Sequence, residues 1–236
     1  MALRFGMKTD VGRKRTNNED AYRIIQDRGI FVIADGMGGH RGGEVASSIA
    51  VRIVCEHLQE ITEPIEENDL REALYAANSR IFQTALKDPS LFRMGTTTIV
   101  TVIRDDKVLI GHVGDSRVYR LKDGELDRIT SDHSLVFQLV SEGKLTESEA
   151  KDHPNRNALI RAIGVDRSVE VDCITLDDIG DRILMCTDGL TEMMDEDSIK
   201  AILTTIDDPQ EACESLVDTA NDNGGIDNTT VILITR

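Results

Sequence analysis

The chain has 236 residues, enough for one domain with a substantial core, and a formal net charge of −16. That acidity disfavours DNA, RNA or anionic lipid as the main partner, because phosphate backbones reward Lys and Arg. With no apolar signal core and no run of about 20 apolar residues, a cytoplasmic protein without membrane association is expected. Cys55, Cys173, Cys186 and Cys213 form no C-x-x-C pair and read as thiols in a reducing compartment.

In chain order, the sequence is expected to start almost at its first strand and to end in its last, leaving no tail for an anchor. Residues 31–34 are a short apolar run closed by Asp35-Gly36 and read as a strand. Residues 44–61 follow an i, i+3, i+4 apolar rhythm, and Leu70, Ala73, Leu74, Ala77, Ile81 and Ala85 repeat it, predicting two helices. Residues 97–103 are rich in β-branched side chains, and Asp105-Asp106 turns them toward a strand at 108–113. Strands at 118–121 and 126–129 follow, joined at Lys122-Asp123-Gly124. Residues 134–161 stand apart. They are polar, with a Thr146-x-x-Glu149 capping box and the loop around His153, and read as a small helical flap within a single domain over 1–236. Further on come a strand at 183–186, a helix marked by Ile199, Ile202, Leu203 and Ile206, and a helix capped by Asp208 with Pro209 in its first turn. A strand at 231–234 closes the series. Strands joined by tight turns, with helices in long pairs, predict an α+β fold of antiparallel sheets covered by helices.

Four acidic clusters lie beside or within turns that end apolar runs. They are Arg15-Thr16-Asn17-Asn18-Glu19-Asp20, Asp35-Gly36-Met37-Gly38-Gly39-His40, Thr187-Asp188-Gly189 and Asp227-Asn228. Carboxylates converging from across a chain repel one another unless a cation lies between them, which points to a hard-metal site and to hydrolysis. Carboxylate, carbonyl and water suit Mg²⁺ or Mn²⁺, whereas zinc wants closely spaced Cys or His, and no H-E-x-x-H is present. A strand ending in Asp-Gly projects its carboxylate from the sheet edge while glycine turns the backbone, leaving the Gly36 carbonyl open to a cation. Two ions about 3.5–4 Å apart can share a bridging water and lower its pKa, making a hydroxide that attacks an electrophile.

Arg15 either offers its guanidinium fork to phosphate oxygens or pairs with Glu19 on the surface. The glycine-rich loop is neither a P-loop, since no lysine follows, nor a G-x-G-x-x-G, since Arg41 takes the third position. Gly114-Asp115-Ser116-Arg117 reads as a turn whose Asp and Arg hold a hairpin; no G-x-S-x-G surrounds Ser116. Asp132 suits a metal ligand and a helix cap equally. His57 and His112 lie in apolar segments and read as structural, while His40 and His153 lie in loops and could transfer protons.

The ordered set R-x-x-N-E-D, D-G-M-G-G-H, M-G-T-T, G-D-S-R, S-D-H-S, T-D-G-L and G-x-D-N-T-T resembles the metal-dependent serine/threonine protein phosphatases of the protein phosphatase 2C type, in their bacterial branch. The resemblance covers residues 8–236. It implies a central antiparallel β-sandwich flanked by antiparallel helix pairs, a four-layer α-β-β-α arrangement with a flap. It implies two Mg²⁺ or Mn²⁺ ions held by Asp20, Asp35, the Gly36 carbonyl, Asp188 and Asp227, with Asp20 bridging. A third ion would join Asp132 to Asp188. Arg15 would bind the substrate phosphate, Glu19 would orient a metal-bound water, and the flap would influence substrate choice. Where many relatives carry a histidine after Asp-Gly, this chain has Met37, and His40 is the substitute candidate for general acid. The expected substrates are phosphoserine and phosphothreonine proteins made by a serine/threonine kinase, and the expected form is a monomer. The rivals are a non-catalytic module, which would have lost metal carboxylates, and a phosphatase for small metabolites.

Overall fold

The computed structural model describes residues 3–38 and 41–236. Among these the strands are β1 (Arg4–Asp10), β2 (Asp20–Ile25), β3 (Ile30–Met37), β4 (Gly95–Thr96), β5 (Thr98–Arg104), β6 (Lys107–Val113), β7 (Arg117–Lys122), β8 (Glu125–Arg128), β9 (Asp172–Leu176), β10 (Arg182–Cys186) and β11 (Thr229–Thr235). The helices are α1 (Gly42–Gln59), α2 (Glu67–Lys87), α3 (Leu135–Ser141), α4 (Glu147–Lys151), α5 (Asp188–Thr191), α6 (Glu196–Thr205) and α7 (Pro209–Asp222). One sheet runs β1-β11-β10-β7-β8 and the other β2-β3-β5-β6-β9, with β4 against β3. Every strand pairing is antiparallel.

Successive side chains of a strand point to opposite faces, so a strand covered on both sides must be apolar throughout. β3 is such a strand: Phe31 and Ile33 face the space between the sheets, while Val32 and Ala34 face α1 and α2. β11 divides in the same way, Ile232 and Ile234 inward and Val231 and Leu233 toward α6 and α7. Three apolar layers therefore hold four structural layers together, and the expected α-β-β-α sandwich is the architecture found. No helix among the described residues is long and apolar enough to cross a membrane. The four cysteines are free, with Cys55, Cys186 and Cys213 buried.

Asp208 caps α7, accepting from the N–H groups of Gln210 and Glu211, with Pro209 in the first turn. The segment 134–161 carries α3 and α4, and the Thr146–Glu149 capping box forms at the start of α4. Its two ends are tied together by a bridge between Ser134 and Leu159. Leu135 N–H donates to the Ala158 carbonyl, and Ile160 N–H donates to the His133 carbonyl. The segment is thus a closed excursion from the sandwich.

Candidate metal centre

The register of β2 on β3 sets Asp20 directly opposite Asp35, which puts the two side chains on one face. On the other sheet, Thr187 follows β10 and Thr230 lies in β11, and Thr187 N–H donates to the Thr230 carbonyl at 3.0 Å. Both hydroxyls then reach across the sandwich to one oxygen of Asp20. Thr187 Oγ1 donates at 2.9 Å and Thr230 Oγ1 at 2.6 Å. Asp188 opens α5 immediately after Thr187, and Asp227 lies just before β11. The four acidic clusters thus meet at one end of the sandwich.

The surrounding motif residues hold the backbone in place. Asp35 N–H donates to Thr97 Oγ1 at 3.0 Å, and Thr96 Oγ1 donates to the Asp35 carbonyl at 2.7 Å. Asn228 accepts from Glu19 N–H at 2.8 Å and donates to the carbonyls of Val11 and Asn17, fixing the loop that carries Arg15 and Glu19. The Glu19 carboxyl packs against Gly43 at the start of α1; a side chain there would meet Glu19 Oε2 at 2.2 Å.

Neither Asp-Gly is a turn, contrary to expectation. β3 continues through Gly36 to Met37, where Gly36 pairs with Thr96. Gly189 lies within α5. The glycines serve close packing: a Cβ on Gly36 would meet the Gly43 carbonyl oxygen at 2.1 Å, and one on Gly189 would meet the Asn228 carbonyl oxygen at 2.0 Å. Gly38, just after β3, has a φ of 131°, which favours glycine.

The electrostatics are those of carboxylates lacking a counter-ion. Burial pushes Asp20 up to about 7, with repulsion from Asp227 and Glu19 adding to it and the two threonine hydroxyls opposing it. Asp35 is raised well above the usual range by burial and then by Asp20, Asp188 and Asp115. Asp188 is raised likewise by burial, Asp115, Glu192 and Asp227. Asp35 and Asp188 lie close enough for each to shift the ionisation of the other. Asp20 Oδ1 and Asp188 Oδ1 are buried without any hydrogen-bond partner, a costly state for an anionic oxygen.

Among the described residues, no group of three or more His, Cys, Asp or Glu side chains is placed to hold an ion by itself. The side chains that converge here offer oxygen donors, which suit Mg²⁺ or Mn²⁺ better than zinc. The partnerless oxygens of Asp20 and Asp188 and the all-oxygen donor set therefore fit a hard divalent cation.

Several expectations change here. Arg15 pairs with Asp227 at 2.6 Å rather than with Glu19, which acts on it only as a nearby charge. Asp132 is neither a helix cap nor open to an ion. Ser134 caps α3, and both Asp132 oxygens are taken by guanidiniums, from Arg117 at 3.1 and 2.8 Å and from Arg128. Of the Gly114-Asp115-Ser116-Arg117 turn, Arg117 takes Asp132 as its partner. Asp115 is half-buried, pushed up to about 6 by desolvation and by Asp132, and repels Asp35 and Asp188. Its place in G-D-S-R, between two strands, was the available signal.

The roles of Thr187 and Thr230 are not read from the sequence, though Thr187 belongs to one of the acidic clusters and Thr230 ends the G-x-D-N-T-T motif. Ser116 is buried and hydrogen-bonded to Thr97 Oγ1 at 2.7 Å, so it is no nucleophile. His112 is fully buried, with its ring 4.6 Å from that of His133. His153 lies in the loop after α4, where its Nδ1 accepts from Asn155 N–H. His40, the candidate general acid, lies outside the described residues.

Residues 11–230 match the family model described as Protein phosphatase 2C. The chain belongs to this family. Among its relatives is Serine/threonine phosphatase stp of Listeria monocytogenes serovar 1/2a, 38% identical over 97% of this chain and 94% of that protein. Another is Protein phosphatase PhpP of Streptococcus pneumoniae, 37% identical over 98% of this chain and 97% of that protein. Among solved structures it is similar to the Mycobacterium tuberculosis serine/threonine phosphatase PstP/Ppp, with a TM-score of 0.92, 34% identity and coverage of 100% and 99% of the two chains. It is also similar to the catalytic domain of PstP in complex with two manganese ions, with a TM-score of 0.90, 33% identity and coverage of 99% and 97%. As a protein phosphatase 2C, the chain is an enzyme of the phosphatase class, and the carboxylate cluster is its candidate active centre.

Proposed function

We propose that this protein phosphatase 2C is a Mg²⁺- or Mn²⁺-dependent hydrolase of phosphoserine and phosphothreonine in proteins. The observation that carries the reading is the pair of buried, partnerless oxygens, Asp20 Oδ1 and Asp188 Oδ1, within a cluster of mutually repelling carboxylates. The similar PstP catalytic domain was solved with two manganese ions, which supports two ions here. Asp20, Asp35, the Gly36 carbonyl, Asp188 and Asp227 would hold them. When bound, such ions lower the pKa of water and neutralise phosphoryl charge.

The chain's own residues do the rest. Thr187 and Thr230 fix one oxygen of Asp20 so that the other faces the centre. Arg15 is half-exposed beside Asp227, where its fork can take phosphoryl oxygens and stabilise developing charge. Glu19, held by its backbone to Asn228, orients a water. His40 is the proposed donor of the proton to the leaving serine or threonine oxygen, because Met37 has none to give. A third ion beside Asp188 would find its second carboxylate in Asp115, since Asp132 is already neutralised. On the resemblance alone we extend the reading to a cytoplasmic monomer that opposes a serine/threonine kinase.

The test is phosphate release from a phosphothreonine peptide and from a sugar phosphate, in Mn²⁺ and in excess EDTA. Turnover of the peptide in Mn²⁺ and its loss in EDTA are expected. Full activity in EDTA, or turnover of the sugar phosphate alone, would overturn the proposal. Arg15→Ala is expected to raise KM for the peptide about tenfold or more while Mn²⁺ affinity changes little. An unchanged KM would return Arg15 to a purely structural partner of Asp227.

A further inference from the structure

A groove of about 830 Å³ leads away from Asp115 and Asp188 beneath the flap. Its two walls differ in chemistry. On one side α3 supplies Val136, Phe137 and Val140. Phe137 is 36% exposed, as is Ile226 at 39%. Large apolar side chains left open in a concave, part-polar site mark a binding surface. On the other side, the corner between α5 and α6 brings Glu192, Asp195 and Glu196 to the groove.

Cations line the groove as well, but the strongest are already committed. Arg117 and Arg128 both bond to Asp132, and Arg128 also lies 5.5 Å over the Phe137 ring. Lys151 stands near Asp195, and Arg156 near Glu192. Glu196 has no such neighbour among the salt bridges of the described residues. The charge left over at the α5–α6 corner is negative, and the net charge of −16 extends that bias over longer range.

We infer that this groove reads the sequence around the phosphorylated residue. An apolar side chain packs against Phe137, and a lysine or arginine meets the Asp195–Glu196 corner. The preferred substrates are therefore phosphoprotein segments with an apolar and a basic residue close to the phosphorylated one, and acidic flanks are rejected. This inference rests on the phosphoprotein reading above and names the substrate class within it.

Four phosphothreonine peptides test it, identical except for flanks of Leu with Lys, Leu with Glu, Ser with Lys and Ser with Glu. A chromogenic aryl phosphate serves as the flank-free substrate. All five are assayed in Mn²⁺ with the wild type, Glu196→Lys and Phe137→Ala. Glu196 is exposed at the first position of α6 and Asp195, not Glu196, caps that helix, so the charge reversal leaves the cap in place.

In the wild type, kcat/KM is expected to be about five- to tenfold higher for the Leu and Lys peptide than for the Leu and Glu peptide, with the gap narrowing at high salt. Glu196→Lys should erase or invert the Lys preference, and Phe137→Ala should erase the Leu preference. Neither variant should change turnover of the aryl phosphate. Equal kcat/KM for all four peptides in the wild type, or preferences that survive both variants, would overturn the assignment. So would a dimer in sedimentation that Phe137→Asp disperses, since a second copy would then fill the groove. Turnover of the aryl phosphate with none of any peptide would instead refute the phosphoprotein reading itself.

Discussion

At the residue scale, the centre is a set of charges placed where charge is unfavourable. Asp20, Asp35 and Asp188 are each raised by burial before any neighbour acts. A folded carboxyl held up to about 7 keeps a proton that the unfolded chain gives up near 3.8. Without divalent ions, this group therefore loses stability as pH rises between those values. His112 works in the opposite sense. Burial, and then His133, push it down to about 3. Between about 3 and 6.5 the unfolded chain binds a proton that folded His112 refuses, so its contribution weakens stability as pH falls through that window. Urea titrations of wild type and His112→Leu at pH 6 and pH 4 isolate this group. The wild type should lose about 1.4 kcal/mol more per pH unit than the variant; parallel pH dependence would contradict the assignment.

At the scale of elements, the same glycines were legible in the sequence for the wrong reason. Asp35-Gly36 and Asp188-Gly189 were visible as Asp-Gly pairs closing apolar runs, but a turn is a local property and close packing is not. Gly189 offers a sharp discrimination. By helix propensity alone, Gly189→Ala in α5 should gain about 1 kcal/mol. The Asn228 carbonyl 2.0 Å from the new Cβ predicts a loss of about 2 kcal/mol or more in chemical denaturation. A gain in stability would show that the approach of α5 to the loop before β11 is not as close as described.

The strands tell a related story. β3, β5, β6, β10 and β11 are covered on both faces and stand out as apolar runs. β2 and β9 received no expectation, and β1 no bounds; all three are sheet edges. Their partly exposed residues, such as Tyr22 in β2, dilute the alternation that marks a strand. Because β2 was missed, the register that sets Asp20 against Asp35 was also out of reach.

At the scale of the whole molecule, the sandwich explains why ligands so far apart in sequence can meet. Asp20 and Asp35 belong to one sheet, Asp188 and Asp227 flank the strands of the other, and Thr187 and Thr230 join the two across the layer between them. The motif order was legible because each cluster sits at or beside the end of a strand. The pairing of Asp132 with Arg117 was not, because an Arg-Asp pairing fifteen residues apart leaves no periodic trace. The central claim is that these carboxylates form one divalent-cation centre. Isothermal titration of the metal-free protein with Mn²⁺ tests it without relying on turnover. Two ions per chain are predicted for the wild type, with binding at the paired site lost in Asp20→Asn and in Asp188→Asn while both variants keep their fold. Unchanged stoichiometry and affinity in the two folded variants would contradict the account.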